Sequence, residues 1–292
     1  MTTVLELVNL ACAEMALPQV TTLIGVTDQP TLRLRAALIG TARELRSTRI
    51  YPQQKKTYSF SLTENQPTYP LPQDFYSQVL KTQFNVTTQR YLYQISDAEF
   101  VDRLYGIVIT TGDVCYRIFG NNANPNYSVS GQFWVSPTPS SSTEDLYFEY
   151  ITKNLFVPKY WVPETSYAQG VYVSSSDSIW QANNSGTSGN SEAPPSGDEE
   201  FLDNDIEWGL HLAPYETPLA DTDLCLFDDD PMISGIRYRY LESTNQDYSN
   251  ALALFNTAKD AAASRYLTPS LGSFSRRGFR PRYTVPYGSW GI

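Results

Sequence analysis

Apolar residues near the start of the chain recur at helical spacing: Val4, Leu5, Leu7, Val8, Leu10, Ala11 and Met15. Steps of three and four residues put these side chains on one stripe of a helix. Thr2 or Thr3 can cap that helix, and Pro18 stops it because proline has no amide to donate. A second helix begins near Gln29, with Pro30 in its first turn. Leu32, Leu34, Leu38, Ile39, Ala42 and Leu45 supply its apolar positions, and Pro52 closes the segment. Arg33, Arg35, Arg43, Arg46 and Arg49 mark its wet side, which reads most simply as a solvated face.

From Lys56 the period shortens to two. Tyr58, Phe60 and Leu62 alternate with polar residues, as a half-buried strand requires. The segment Thr68-Tyr-Pro-Leu-Pro-Gln-Asp-Phe-Tyr76 follows, its two prolines forcing extended backbone before a short turn. Further strands are predicted over 79–86, 90–95, 106–110, 115–119, 132–135 and 146–151, with a short capped helix at Ser96-Asp-Ala-Glu-Phe100. Strands this short and this closely spaced point to an antiparallel β-sandwich. Near the C-terminus, Asp228-Asp-Asp-Pro231 has the signature of a helix start, and two helices are predicted over about 231–244 and 247–266.

Between these parts the composition changes. Residues 158–211 carry Trp161, Tyr167, Tyr172, Trp180 and Trp208 and a Ser/Gly/Asn run, with one cation, Lys159, against nine carboxylates. The chain leaves at Pro158 and returns at Pro214, so 158–212 reads as a small β module inserted in the sandwich. The predicted class is therefore α+β. Helices occupy 1–55 and 231–266, the sandwich 56–157 with its return at 213–230, and an extended arm 267–292.

That arm has Arg276, Arg277, Arg280 and Arg282 and no acid, interleaved with Phe274, Phe279, Tyr283, Tyr287 and Trp290. Ordering its backbone costs more entropy than its apolar side chains return by burial. The arm is expected to lie on its own sandwich or to fold onto a partner.

Composition narrows the functions available. The 292 residues carry 21 Lys plus Arg against 31 Asp plus Glu, a formal charge of −10, and mean hydropathy is −0.35. So acidic a chain is not expected to wrap nucleic acid by neutralising phosphates. His211 is the single histidine, which argues against His-based acid–base chemistry or a multi-His metal site. Cys12, Cys115 and Cys225 form no CxxC pair and read as buried, reduced thiols of a protein made in the cytoplasm. No signal peptide or membrane span is expected.

No Walker loop, GxGxxG, HExxH or GxSxG occurs. The Asp228–Asp230 cluster lacks the spaced ligands of a cation site, and helix capping explains it better. Glu144-Asp145 and Glu199-Glu200 read as solvated turn residues, and His211 beside Trp208 as packing. No catalytic residue, metal site or cofactor is expected. A tail lysin is disfavoured by the lack of an acid pair.

The order of a capped apolar helix, a second helix, Leu71-Pro-x-Asp-Phe75, many strands, Pro137-x-Pro139 before Leu146-Tyr-Phe-Glu-Tyr150, and Leu219-Ala-Asp-Thr-Asp223 before two helices resembles the head-to-tail adaptor proteins of short-tailed bacteriophages. The resemblance is carried by residues 5–17, 69–75, 133–139, 147–152 and 219–266. It implies a dodecameric ring under the portal protein, with helices as the ring body and a C-terminal arm docking on the portal. The docking residues are then Arg276, Arg277, Phe279, Arg280, Arg282, Tyr283, Tyr287 and Trp290. The other implied partners are the tail nozzle or tail fibre proteins, and packaged DNA passes through the channel without specific binding. The protein would reside in the virion neck.

The spacing Trp161-x5-Tyr167-x2-Gly170-x2-Val173, then Ile179-Trp180-x-Ala182, Pro194-Pro195 and Trp208, resembles a small chitin-binding type of carbohydrate-binding module. That implies sugar stacking on Trp161, Tyr167, Trp180 and Trp208, and the alternative function of gripping host polysaccharide. The other reading of the same aromatics is that they are simply the module's core.

Overall fold

The computed structural model describes residues 2–48, 51–105, 114–120, 131–140, 144–175, 178–189, 194 and 200–266. Within them the chain is α+β, with five helices and several mainly antiparallel sheets. The predicted strand at 106–110 and the arm at 267–292 lie outside the described residues.

Helix α1 (Val4–Glu14) starts at a capping box. The Thr3 hydroxyl accepts from the Glu6 amide, while the Glu6 carboxylate accepts from the Thr3 amide at 3.0 Å. Helix α2 (Gln29–Thr48) comes next, and the short α3 (Asp97–Leu104) repeats the capping box with Ser96 and Glu99. Helices α4 (Asp229–Ser243) and α5 (Ser249–Tyr266) return from the far end of the chain to pack with α1 and α2.

Helix α4 is the centre of this layer and packs on α1, α2 and α5. Val4, Leu7, Val8, Leu34, Leu38, Leu45, Met232, Ile236 and Phe255 form one buried cluster. Gly235 permits the close approach: a Cβ there would collide with the Thr41 side chain and come within 2.9 Å of the Phe255 ring. At the edge of the core, Glu44 takes Arg239 at 2.7 Å and Lys259 at 3.5 Å, joining three helices through one carboxylate.

Two sheets share a second core. Strands β1 (Lys55–Ser61), β2 (Thr68–Pro70), β3 (Phe75–Gln78), β4 (Phe84–Asn85), β5 (Arg90–Tyr91), β6 (Tyr93–Gln94), β7 (Cys115–Gly120), β8 (Gly131–Ser136) and β9 (Asp145–Thr152) build them. The first has the order β1-β9-β4-β5, with β3 also pairing β9. The second runs β2-β8-β7-β6, in which only the β6–β7 pair is parallel. Tyr116 stacks on Phe133 with ring centroids 5.0 Å apart, and Phe133 stacks on Phe148 at 5.3 Å. This column passes from one sheet to the other through a cluster that includes Leu71, Phe75, Val135 and Leu146.

Two predicted strands break up here. Over 79–86 only Phe84–Asn85 forms a strand, with single backbone bonds from Val79 and Val86 to β9, because Lys81 turns with φ +66° and local bonds win. The Thr82 hydroxyl and the Gln83 amide both donate to the Val79 carbonyl, an arrangement that competes with a ladder. Over 90–95 the chain divides at Leu92, which points inward, with β5 on the edge of one sheet and β6 on the edge of the other.

Strands β10 (Phe156–Val157), β11 (Ser166–Tyr167), β12 (Tyr172–Ser175), β13 (Ser178–Ala182), β14 (Gly186–Thr187), β15 (Glu200–Asp203), β16 (Ile206–Leu210) and β17 (Leu224–Cys225) complete the set. Strand β10 pairs with β17. Residues 158–212 hold a sheet of order β12-β13-β16-β15 and the separate pair β11-β14. Their cluster is Val173, Trp180, Ala182, Ile206 and Trp208. Ile179 and Tyr172 leave that cluster and pack into the helical core, so this region is seated on the rest of the chain.

Candidate functional site

The docking residues expected from the sequence, Arg276, Arg277, Phe279, Arg280, Arg282, Tyr283, Tyr287 and Trp290, all lie outside the described residues. The four aromatics expected to stack on sugar are brought together, but in a core. Trp180 and Trp208 are fully buried, so neither ring offers a face to a ligand; Trp161 and Tyr167 are half-buried against them.

Asp203 organises these rings. One carboxylate oxygen accepts from the Trp161 indole N–H at 2.9 Å and the Trp208 indole N–H at 3.3 Å, and the other accepts from the Gly189 amide at 2.7 Å. Its side chain is buried, so these three donors stand in for water. The Tyr167 hydroxyl takes the Val162 amide at 2.8 Å and returns a bond to the Val162 carbonyl. Burial pushes the Tyr167 pKa up, and the hydroxyl keeps its proton for that second bond. In the sequence Asp203 is only one acid in an acidic run. The available signal is that buried indoles tend to find an acceptor, which Trp161 and Trp208 do here while Trp180 has none among the described residues.

The motifs that carry the adaptor resemblance resolve into similar hubs. Asp223 is 1% exposed and accepts from the Tyr215 hydroxyl at 2.9 Å and the Leu219 and Ala220 amides at 2.7 and 3.0 Å. Desolvation raises the Asp223 pKa despite these donors, and desolvation beside Asp223 raises that of Tyr215 further. Asp221 accepts from the Thr22 hydroxyl and from the Leu23 and Ile24 amides. The carbonyls of Asp221 and Asp223 also receive the Leu5 and Val4 amides, so this segment anchors the start of α1. In Leu71-Pro-Gln-Asp-Phe75 the two apolar residues enter the sheet core. Asp74 there takes the Tyr150 and Thr152 hydroxyls at 2.8 and 2.7 Å and the Lys56 ammonium at 3.2 Å.

The triple aspartate lies at the start of α4, as expected, with Asp229 and Asp230 in its first turn. Asp228 occupies the cap position of α4 yet makes no side-chain cap bond. It accepts instead from the Tyr266 hydroxyl at 2.7 Å, Asp229 accepts from the Thr2 hydroxyl, and Arg265 lies 3.6 Å from Asp230. These acids tie both ends of the described chain to α4 because hydroxyl and guanidinium donors reach them first. The Arg series on α2 is likewise only partly solvated. Arg46 donates to the Lys153 carbonyl at 2.6 Å and lies 4.4 Å over the Tyr76 ring, and Arg35 donates to the Pro218 carbonyl. Arg49 lies outside the described residues.

His211 meets Tyr172 edge-on with centroids 5.0 Å apart, and burial lowers its pKa. The three cysteines are buried and free; desolvation pushes Cys225 up to about 12 and keeps it a thiol. Among the described residues no group of three or more metal-ligating side chains converges, and no helix is long and apolar enough to cross a membrane.

Two cavities flank the contact between the first sheet and residues 158–212. The smaller, of about 170 Å³, is lined by Lys55 and Lys56, Asn154, Tyr160, Ser178 and Ile179 among others. The larger, of about 300 Å³, shares Lys56, Asn154, Ser178 and Ile179 and adds Asp74, Tyr150 and His211. Lys55, Asn154, Tyr160 and Ser178 sit on four separate segments with no motif between them, so nothing in the sequence marks them as a site.

Neither a protein-family model nor a curated protein sequence matches this chain.

Proposed function

We propose that this chain is a non-enzymatic head-to-tail adaptor of a short-tailed phage virion. It forms a dodecameric ring beneath the portal, extends the DNA channel and gives the tail nozzle or fibres a platform. In this reading the four packed helices are the ring-forming layer and the two sheets that share an aromatic core are an antiparallel sandwich. Residues 158–212 are an inserted module, and residues 267–292 are the arm that docks on the portal.

The observation that carries the reading is the convergence of α1 and α2 with α4 and α5 in one layer, from whose last helix the four-arginine tail follows directly. The layer exposes Leu10, Leu32 and Leu254 on α1, α2 and α5, apolar surface that neighbouring subunits of a ring would cover. Guanidinium groups in the tail suit carboxylates on a partner, and its rings suit a surface they can stack on. An acidic body suits a channel through which DNA must slide without sticking.

The test pairs the intact protein with a 1–266 truncation and images each with purified portal particles. Coaxial rings with the intact protein, and a folded truncation that no longer joins portals, are expected. A truncation that still seats normally on portals overturns the docking role, and an intact protein that stays monomeric and never seats overturns the adaptor reading.

A further inference from the structure

Asn154 lines both seam cavities and is only 3% exposed. Its Oδ1 accepts from the Tyr215 amide at 2.7 Å, which fixes the orientation of the side-chain amide. No acceptor among the described residues takes its Nδ2 protons. That nitrogen keeps some exposure, so it is a free donor able to bond an acceptor held in the cavity.

The other lining groups of the smaller cavity sort the same way. Ser174 and Ser175 already donate, to the Pro158 carbonyl at 3.0 Å and the Pro194 carbonyl at 2.7 Å, and Thr152 donates to Asp74. Lys56 is paired with Asp74. The Gln53 amide nitrogen donates to the Tyr266 hydroxyl, while Lys55, the Ser178 hydroxyl and the Tyr160 hydroxyl have no described partner and each can donate. No described residue lining this cavity is a carboxylate, in a chain whose net charge is −10. The volume of about 170 Å³ lies below the roughly 300–1,000 Å³ of pockets for drug-sized ligands and suits an ion or a small acid group.

We infer that this seam binds a small oxyanion, a carboxylate or phosphate group, held by the Asn154 amide and the Lys55 ammonium with Ser178 and Tyr160 at its rim. Such groups only accept hydrogen bonds, which complements a lining whose free groups donate, and an ionised acceptor strengthens each bond. The site lies between the first sheet and residues 158–212, so an occupant would tie the two together. It is independent of the adaptor reading.

Calorimetric titration of the full chain tests this, with inorganic phosphate, succinate and glycerol as separate probes at constant ionic strength. Saturable binding of phosphate, succinate or both is expected, and none of glycerol; which anion binds identifies the chemistry. Lys55→Glu and Asn154→Asp should each weaken binding at least about tenfold, the effect of losing one hydrogen bond to a charged group. Asn154→Asp keeps the oxygen that receives the Tyr215 amide. Should it fail to fold, Lys55→Glu, on an exposed strand position, decides the matter alone. Lys81→Glu, outside the seam, changes net charge equally and should leave binding intact. Absence of saturable binding by both anions, or equal loss in Lys81→Glu and Lys55→Glu, overturns the site.

Discussion

The helical layer and residues 158–212 solve the same problem by opposite means. The layer buries many aliphatic side chains, lets small residues bring helices together, and leaves its charged groups at the margin, as with Glu44 between Arg239 and Lys259. Among the described residues of 158–212 the cluster has five buried members, two of them tryptophan, with a carboxylate bonded to its indoles. A core with ample apolar area depends on shape, and each contact is one of many. A small core depends on a few directional bonds, and losing one hub leaves several donors unpaired together.

The largest effect should follow from Asp203→Ala. It strands the Trp161 and Trp208 indole donors and the Gly189 amide, and each unpaired buried donor costs about 1–3 kcal/mol. Hydrogen exchange should rise by orders of magnitude across β12, β13 and β16 while α2 and α4 keep their protection. Uniform destabilisation of both regions would mean that the seam, and not Asp203, sets the stability of 158–212.

Gly235→Val strikes the other region through shape alone. The added side chain meets Thr41 and Phe255, neither of which has space to retreat within the buried cluster. Overpacking of this kind costs about 1–3 kcal/mol. Thermal unfolding should show a lower Tm, with exchange now rising in α2, α4 and α5. The paired variant Gly235→Val with Phe255→Leu should recover part of the loss if the collision with the ring is its cause.

This contrast explains which parts were legible in the sequence. The helices announce themselves by spacing: α1, α2, α4 and α5 fall within a few residues of their predicted limits because burial of one stripe sets their period. The long strands β1, β8 and β9 lie where strands are predicted, β1 from its alternation. The segments over 79–86 and 90–95 misled, because Thr82 and Gln83 bond locally and because Leu92 turns inward between two sheets. Polar hubs are harder still. Asp203 is an ordinary acid in sequence and Asp74 and Asp223 stand out only within short motifs; what makes each a hub is three donors brought from distant segments or set by a turn. The seam with Asn154 belongs to the same class, assembled by tertiary packing alone.

The smallest effect, and the one that sharpens the contrast most, is pH. Glu6, Asp28, Glu99 and Asp247 all have pKa values lowered by hydrogen bonds from the backbone and hydroxyl groups of Thr3, Thr31, Ser96 and Ser249. For Asp28 the hydroxyl bond leads, and for the other three the backbone bond does. Each carboxylate is held more tightly folded than unfolded, so its contribution is complete above the ordinary carboxylate range, near 4, and is lost as pH falls below it. Asp223 has the opposite sign: burial raises its pKa, so folding favours its protonated form and its ionisation weakens the native state as pH rises through that range. Three of the four lowered groups, Glu6, Asp28 and Asp247, sit at the starts of α1, α2 and α5, and Asp223 lies in the segment that anchors α1. Acidification from pH 7 to pH 3 should therefore lower the helical Tm by the balance of these terms. Glu6→Gln should reduce the acid sensitivity, and Asp223→Asn should enlarge it by removing the opposing term. The helical circular dichroism signal followed against temperature at each pH is the measurement. An acid loss unchanged in Glu6→Gln would place the sensitivity outside the α1 capping box.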